Sequence, residues 1–360
     1  MSHARKRMLS FYLTTKCNLN CIYCYTDKYN HQHQTLDFDF AKTAIDEYIG
    51  KNKLSHIRFF GAGEPTVEFS LMTKITGYAS EKVNDLKVEI QTNGVFNKSI
   101  ANWLAKNIQI VWISIDGTPD IHDHYRQQKN GIGTSLEIEK NIKTLFEQGC
   151  EMVGMRMTIT SRNLYKQIEC IDYFKSLGVR YIWSDPIFPS VGESPSFYES
   201  FDLMEYAREF IDAVNYADSK GVFYGSILTC NFDEESKINC RACLPMPHLT
   251  TDGYVTSCDM ALFGNDKDHM DVFIYGRWDP QKSIIEYDHD KIKNLQNRTI
   301  ENLSECKNCE AKLFCAGYCL GEVQNETRSL YKRKERVCRP IQYLFKKLNP
   351  PIKKFDYLHP

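Results

Sequence analysis

The sequence lacks a long apolar run: no uninterrupted hydrophobic stretch approaches the roughly twenty residues needed to cross a bilayer. It also lacks a charge excess. Forty-five basic against 46 acidic residues leave a formal net charge of −1, which gives no electrostatic footprint for nucleic acid or an anionic membrane. A secretory signal is missing as well, because the basic opening Met1-Ser2-His3-Ala4-Arg5-Lys6-Arg7 is followed by Met8 to Leu13, too short for an apolar h-region. There is no repeat of fixed period and no low-complexity tract. These absences predict a soluble cytoplasmic chain with neither nucleic acid nor membrane as partner. Cysteine is not scarce. Fourteen thiols in a chain that is not exported argue for metal or redox chemistry over a disulfide framework.

Three of them form Cys17-x3-Cys21-x2-Cys24, which offers three thiolates and no fourth. Structural zinc prefers four closed ligands and pairs one C-x2-C with another, so zinc is the lesser reading. Soft thiolates also select iron–sulfur clusters, and the spacing matches neither common ferredoxin pattern. A four-iron cubane held at three corners would keep one iron open to a ligand.

The 360 residues exceed what one hydrophobic core usually organises, so a main domain and a smaller one are expected. Up to about residue 225, short β-rich runs alternate with amphipathic stretches, the pattern of βα units around a parallel sheet. The runs are Leu9 to Leu13, His56 to Phe60, Lys87 to Gln91, Ile108 to Ile115, Met152 to Ile159 and Tyr181 to Ser184. Helices are predicted at about Phe40 to Tyr48, Leu71 to Val83, Lys98 to Lys106, Leu136 to Glu147, Tyr165 to Leu177 and Phe201 to Ala217, with Gly149, Gly178 and Gly221 placed to end three of them. The proline- and serine-rich Pro186 to Ser200 reads as a loop over the open end of the barrel.

In parallel barrels the chemistry sits at the carboxyl ends of the strands. The polar clusters of the first half all fall there: the cysteine triplet, Gly61-Ala62-Gly63-Glu64-Pro65, Gln91-Thr92-Asn93-Gly94, and Ser114-Ile115-Asp116-Gly117. Beyond Cys230 long helices become scarce and cysteines dense, as in a small domain stapled by metal. The spacing there is Cys243-x9-Gly253-x4-Cys258, then Cys306-x2-Cys309-x5-Cys315-x3-Cys319, then Cys338. Two zinc ribbons could use the pairs 240/243 and 306/309, but Cys315, Cys319 and Cys338 would overfill them.

The triplet, with Tyr23 before its third cysteine, resembles the signature of the radical S-adenosylmethionine (SAM) superfamily, and Gly63-Glu64-Pro65 resembles that family's GGEP motif with Ala62 in place of the first glycine. The later cysteines resemble a SPASM domain. The resemblance implies an α/β fold, a partial (β/α)6 TIM-like barrel over 8–225, then a small cysteine-rich SPASM domain over 226–345 and a tail over 346–360. It implies S-adenosylmethionine and three [4Fe-4S] clusters. One would sit on Cys17, Cys21 and Cys24. The first auxiliary cluster would sit on Cys240, Cys243, Cys258 and Cys319, with Cys230 the substitute for Cys240, and the second on Cys306, Cys309, Cys315 and Cys338. Tyr23, Ala62, Gly63, Glu64 and Asn93 would bind the cofactor. Ser114 and Asp116 could take its ribose or carboxylate, and Arg126 or Arg156 could pair with that carboxylate. Asp259 stands where related maturases are proposed to carry a base, although an aspartate at a strand end is also a common turn cap.

The implied activity is that of an oxidoreductase that abstracts hydrogen from a side chain of a ribosomally made peptide or protein and leaves a thioether or carbon–carbon crosslink. Alternatives are a sulfatase-type formylglycine maturase, an enzyme acting on a small molecule, and an iron–sulfur electron-transfer protein with no radical chemistry. An external donor such as flavodoxin or ferredoxin would supply electrons. Only a few residues precede the first strand, so a peptide leader would be bound by a separate protein or by the barrel and SPASM surfaces.

Overall fold

The computed structural model describes residues 7–26, 33–52, 54–188, 202–264 and 269–352. Of the loop expected over 186–200, residues 189–200 lie outside the described residues, as do Phe201 and the end of the tail, 353–360.

Seven strands run in parallel and in chain order: β1 (Met8–Tyr12), β2 (His56–Phe60), β3 (Lys87–Thr92), β4 (Ile110–Ser114), β5 (Met152–Ile159), β6 (Tyr181–Pro186) and β7 (Phe223–Gly225). Such sequential parallel pairing requires a crossover between neighbours, and helices supply it at Phe38–Asn52, Phe69–Lys82, Lys98–Asn107, Ser135–Glu147, Gln167–Ser176 and Leu203–Ser219. Alternation decides what each strand buries. On β2, Ile57 and Phe59 join the helix-facing core, whereas His56 and Arg58 point to the other face. That inner face also carries Ser10, Glu89, Gln91 and Arg156, with a separate apolar cluster of Ile110, Trp112, Met152 and Trp183.

The cysteine-rich half is not a separate layer. Its first strand, β8 (His248–Leu249), pairs in parallel with β1 through Ser10 and Phe11, and β9 (Tyr254–Thr256), β10 (Ile274–Asp279) and β11 (Ile284–Tyr287) continue the sheet antiparallel. One eleven-stranded sheet results, β11-β10-β9-β8-β1-β2-β3-β4-β5-β6-β7. β8 and β9 are joined by a tight turn in which Gly253 takes φ of 85°. The helix Glu335–Leu348 runs through the 345/346 boundary expected for the tail and packs on Leu203–Ser219. No helix among the described residues is long and apolar enough to cross a membrane.

Between Cys315 and Cys319 three successive residues take left-handed φ: Ala316 (47°), Gly317 (84°) and Tyr318 (64°). The fully buried Arg298 holds this turn by donating to the carbonyls of Ala316 (3.2 Å), Gly317 (3.1 Å) and Leu330 (2.7 Å). A Cβ on Gly317 would stand 2.5 Å from Arg298 Nη2 and from Leu303 Cδ1. Gly317→Ala is therefore expected to cost about 1–3 kcal/mol and to lower the melting temperature of the reconstituted protein by several degrees, as read by thermal denaturation.

Candidate active site

The triplet loop leaves β1 and is fixed by its backbone. Gly63 N donates to Thr14 O (3.0 Å) and Glu64 N to Lys16 O (2.9 Å), while Asn20 N and Ile22 N donate to Gln127 O and Tyr125 O. The loop after β2 thus lies directly on the triplet loop. A Cβ on Gly63 would stand 2.2 Å from Lys16 O, so this glycine answers to close approach and not to positive φ. Ala62 needs no left-handed backbone, which is why the departure from Gly-Gly is tolerated, and its carbonyl accepts from Thr26 Oγ1 at 2.6 Å.

Glu64 is buried and braces three loops. Its Oε1 accepts from Thr66 N, Thr66 Oγ1 and Thr92 Oγ1, and its Oε2 from Asn93 N at 2.7 Å. Burial raises the Glu64 pKa against those four hydrogen bonds. Only Oε2, with a single partner, has capacity left for a ligand's ammonium. Asn93 Nδ2 donates to Asn18 Oδ1 (2.7 Å) and lies 3.9 Å from Cys17 Sγ, tying the third loop to the triplet.

Cys17, Cys21, Cys24, Tyr23, Ala62, Gly63, Glu64, Asn93, Ser114, Arg126 and Arg156 all line one cavity of about 370 Å³. Asp116 does not line it. Its buried carboxylate accepts from Tyr23 OH, Arg126 Nε (2.9 Å) and Thr158 N (3.0 Å), and so orients those residues where direct ribose contact was expected. Arg126 also lies over the Tyr23 ring at 5.3 Å. Arg156 pairs with Asp185 (2.9 Å), whose other donors are Trp183 Nε1 and Ile227 N. Burial raises the Asp185 pKa, with Arg156 opposing it.

The same cavity is bordered across from the triplet by Cys230, Cys240, Cys258, Asp259 and Cys319. The thiol of Cys319 is pushed up by burial, by Glu322, and by neighbouring Cys240 and Cys258; that of Cys243 is pushed to about 12 by burial and by Cys240. Away from the cavity, Cys315 is pushed to about 12 by burial with Cys306, Cys338 and Cys230 nearby, and Cys338 to about 11 with Cys306 and Cys309 nearby. Three groups of neighbouring thiols emerge: 17/21/24, 240/243/258/319 and 306/309/315/338. Cys230 stands by the third group, linked through Asn239, which donates to Cys230 Sγ and Cys315 O.

Among the described residues, no three Cys, His, Asp or Glu side chains converge on one point closely enough to hold a single metal ion. A four-iron cluster does not ask for that convergence, since each thiolate binds its own iron. The residues fit such a cluster at the triplet: three soft donors on one loop, an amide donor beside Cys17, and the cavity on the fourth side.

The profile of the radical SAM superfamily matches residues 11–164. An uncharacterized protein of Methanocaldococcus jannaschii, MJ0907, is 33% identical over 206 residues, covering 56% of this chain and 68% of that protein. The chain belongs to the radical SAM superfamily. It is similar over 85% of both chains, at 25% identity, to a cysteine-type anaerobic sulfatase-maturating enzyme of Clostridium novyi. Its fold matches native anSMEcpe with bound AdoMet and Cp18Cys peptide (TM-score 0.74, 18% identity, 95% of this chain and 96% of that one). It also matches SuiB of Streptococcus suis bound to precursor peptide SuiA (TM-score 0.67, 19% identity, 92% and 76%). It shares the fold of these two structures, and S-adenosylmethionine with the radical SAM [4Fe-4S] cluster is implied by membership of the superfamily.

Asp259 is a more constrained residue than a free base. Its Oδ1 accepts from Arg58 Nη2 (2.6 Å), His248 Nδ1 (2.8 Å) and Tyr12 OH (3.1 Å), and its Oδ2 faces Arg241 Nη2 (3.3 Å). Burial opposes ionisation, yet Arg58, His248 and Arg241 together hold the carboxyl well below the usual carboxylate range. Burial lowers the His248 pKa to about 4, so near neutral pH the imidazole is uncharged and gives its Nδ1 proton to Asp259. A carboxylate so held is a weak proton acceptor. Sequence reasoning missed Arg58, Tyr12, His248, Arg241 and Asp185. The signal for Arg58 was a charged residue in the middle of the apolar run His56 to Phe60.

Gly63→Ala forces the triplet loop away from the loop after β2. Reconstituted protein carrying it is expected to hold about four fewer irons per chain than wild type, whereas Ala62→Gly keeps the full count.

Proposed function

We propose that this enzyme oxidatively modifies a side chain of a peptide or protein, joining that side chain through a thioether or carbon–carbon bond. The observation that carries the reading is the shared cavity, lined both by the triplet and by Cys240, Cys258 and Cys319. Bound there, the cluster and S-adenosylmethionine would supply radical chemistry able to act on an unactivated carbon.

The chain's own residues do the rest. Glu64 Oε2 and the edge of the loop after β2 receive the cofactor's ammonium, and Arg126, held by Asp116, or Arg156, held by Asp185, receives its carboxylate. Ser114 offers a hydroxyl to the ribose. Phe60, Met157, Trp183 and Ile187 exclude water from the reacting carbon. The cavity is at the small end of ordinary ligand pockets, so with the cofactor present it admits a side chain and leaves the remainder of a substrate at the mouth. The thiol groups 240/243/258/319 and 306/309/315/338 support two auxiliary clusters on those ligands, with Cys240 and not Cys230 completing the first. The first would stand beside the substrate, placed to take its second electron. Flavodoxin or ferredoxin is the donor for the initial reduction.

The likeness to the Clostridium novyi maturase favours a second reading, formylglycine formation. Anaerobic incubation with S-adenosylmethionine, dithionite and candidate peptides tests both. Loss of two hydrogens with a new covalent bond between residues marks a crosslink, and exchange of a cysteine sulfur for oxygen together with loss of two hydrogens marks formylglycine. The wild-type protein is expected to hold about twelve irons, falling by about four when Cys17, Cys21 and Cys24 are replaced by alanine, with 5′-deoxyadenosine then absent by chromatography. Cluster-replete wild type that makes no 5′-deoxyadenosine would overturn the enzyme reading.

A further inference from the structure

Arg58 is the most deeply buried cation of the barrel and has no part in holding the cofactor. It projects inward from the middle of β2, with no exposed surface. Four elements face it: Ser10 Oγ on β1 takes Nε at 3.2 Å, Phe60 on β2 lies under the guanidinium at 4.8 Å, Glu89 on β3 contributes a nearby negative charge, and Asp259 beyond β9 takes Nη2 at 2.6 Å. The Asp259 carboxylate is continuous with Cys258, and its other oxygen faces Arg241, which is continuous with Cys240. Tyr12 OH reaches both Asp259 Oδ1 and the Cys258 carbonyl (3.4 Å), so β1 holds the same loop.

We infer that Arg58 and Asp259 form a tie that fixes the two loops carrying Cys240 and Cys258 to the barrel interior, making Arg58 a positioning residue for the first auxiliary centre and Asp259 its anchor instead of a proton acceptor. The inference rests on the auxiliary-cluster reading given above. Arg58 is fully buried, and its Nη2 lies 2.6 Å from an Asp259 carboxylate that is 31% exposed toward the cavity, so losing Asp259 strips a buried guanidinium of its closest anion, and losing Arg58 leaves the carboxylate to Arg241, His248 and Tyr12. Arg241 then joins the two ligand loops to each other through the second carboxylate oxygen. The position of a centre bordering the substrate cavity is thereby set from β2, two strands along the sheet from β8.

The test uses full-length, anaerobically reconstituted protein with Arg58→Met, Arg58→Lys, Asp259→Asn and the double variant Arg58→Met/Asp259→Asn. Iron per chain, melting temperature and the reduction potentials of the auxiliary signals are read by chemical assay, calorimetry and redox-poised electron paramagnetic resonance. Arg58→Met and Asp259→Asn are each expected to lose up to about four irons, to melt earlier, and to shift the potential of any first-centre signal that remains. Arg58→Lys should restore the iron content and the wild-type potential. The double variant should melt above Arg58→Met, because the two changes remove the pair together. Asp259→Asn with wild-type iron, potential and melting temperature but no turnover is the result that a base would give, and it would overturn the tie. So would a double variant that melts as low as the two single effects summed. If the wild type holds only about four irons, the auxiliary-cluster reading fails, and the melting temperatures of the four variants still decide the tie by themselves.

Discussion

The constraint on which this structure depends is the pairing of charge inside its barrel. A parallel barrel ordinarily fills its centre with branched apolar side chains. Here β1, β2, β3 and β5 turn Ser10, His56, Arg58, Glu89, Gln91 and Arg156 inward, and each buried charge needs a partner that a neighbouring strand cannot always supply. Arg58 finds its partner beyond β9, and Arg156 finds its own on β6. The cysteine-rich half is therefore bound to the barrel by charge as well as by the β1–β8 ladder and the packing of Glu335–Leu348 on Leu203–Ser219. The cavity between the two halves exists because these attachments surround it.

The triplet loop follows a different logic. Its shape comes from backbone contacts to loops after β2 and β4, so the thiols are presented by a surface of amides and carbonyls with few side chains involved. Glu64 is the exception, buried and accepting from the loop after β3 as well as from its own. Changing the cysteines would alter what binds there. Changing Gly63 or Glu64 would alter whether the loop has a fixed form at all.

Much of this was legible in the sequence where residues act locally. The run His56 to Phe60 reads as a strand with its observed ends because serine and glycine bound a β-rich pentad, and Met152 to Ile159 is likewise a strand over the range expected. β7 and the helix Pro119–Tyr125 were not anticipated, being too short for any period to register. Asp116 lies outside the cavity lining, and its carboxylate accepts from Tyr23 and Arg126, contacts that the motif alone does not reveal. The surroundings of Asp259 come from residues 12, 58, 241 and 248, and no spacing rule connects them. Motifs located the chemistry, but tertiary contacts assigned which polar groups remain available to it.

The short turn Ala316–Gly317–Tyr318 separates Cys315, which neighbours the thiols of Cys306 and Cys338, from Cys319, which neighbours those of Cys240 and Cys258. The two sets interleave along the chain. A single cut anywhere between Cys240 and Cys338 leaves at least one set divided between two fragments. Neither set can be inherited, transplanted or folded as a module of its own, and the left-handed turn braced by Arg298 is the crossing point that makes them one inheritance.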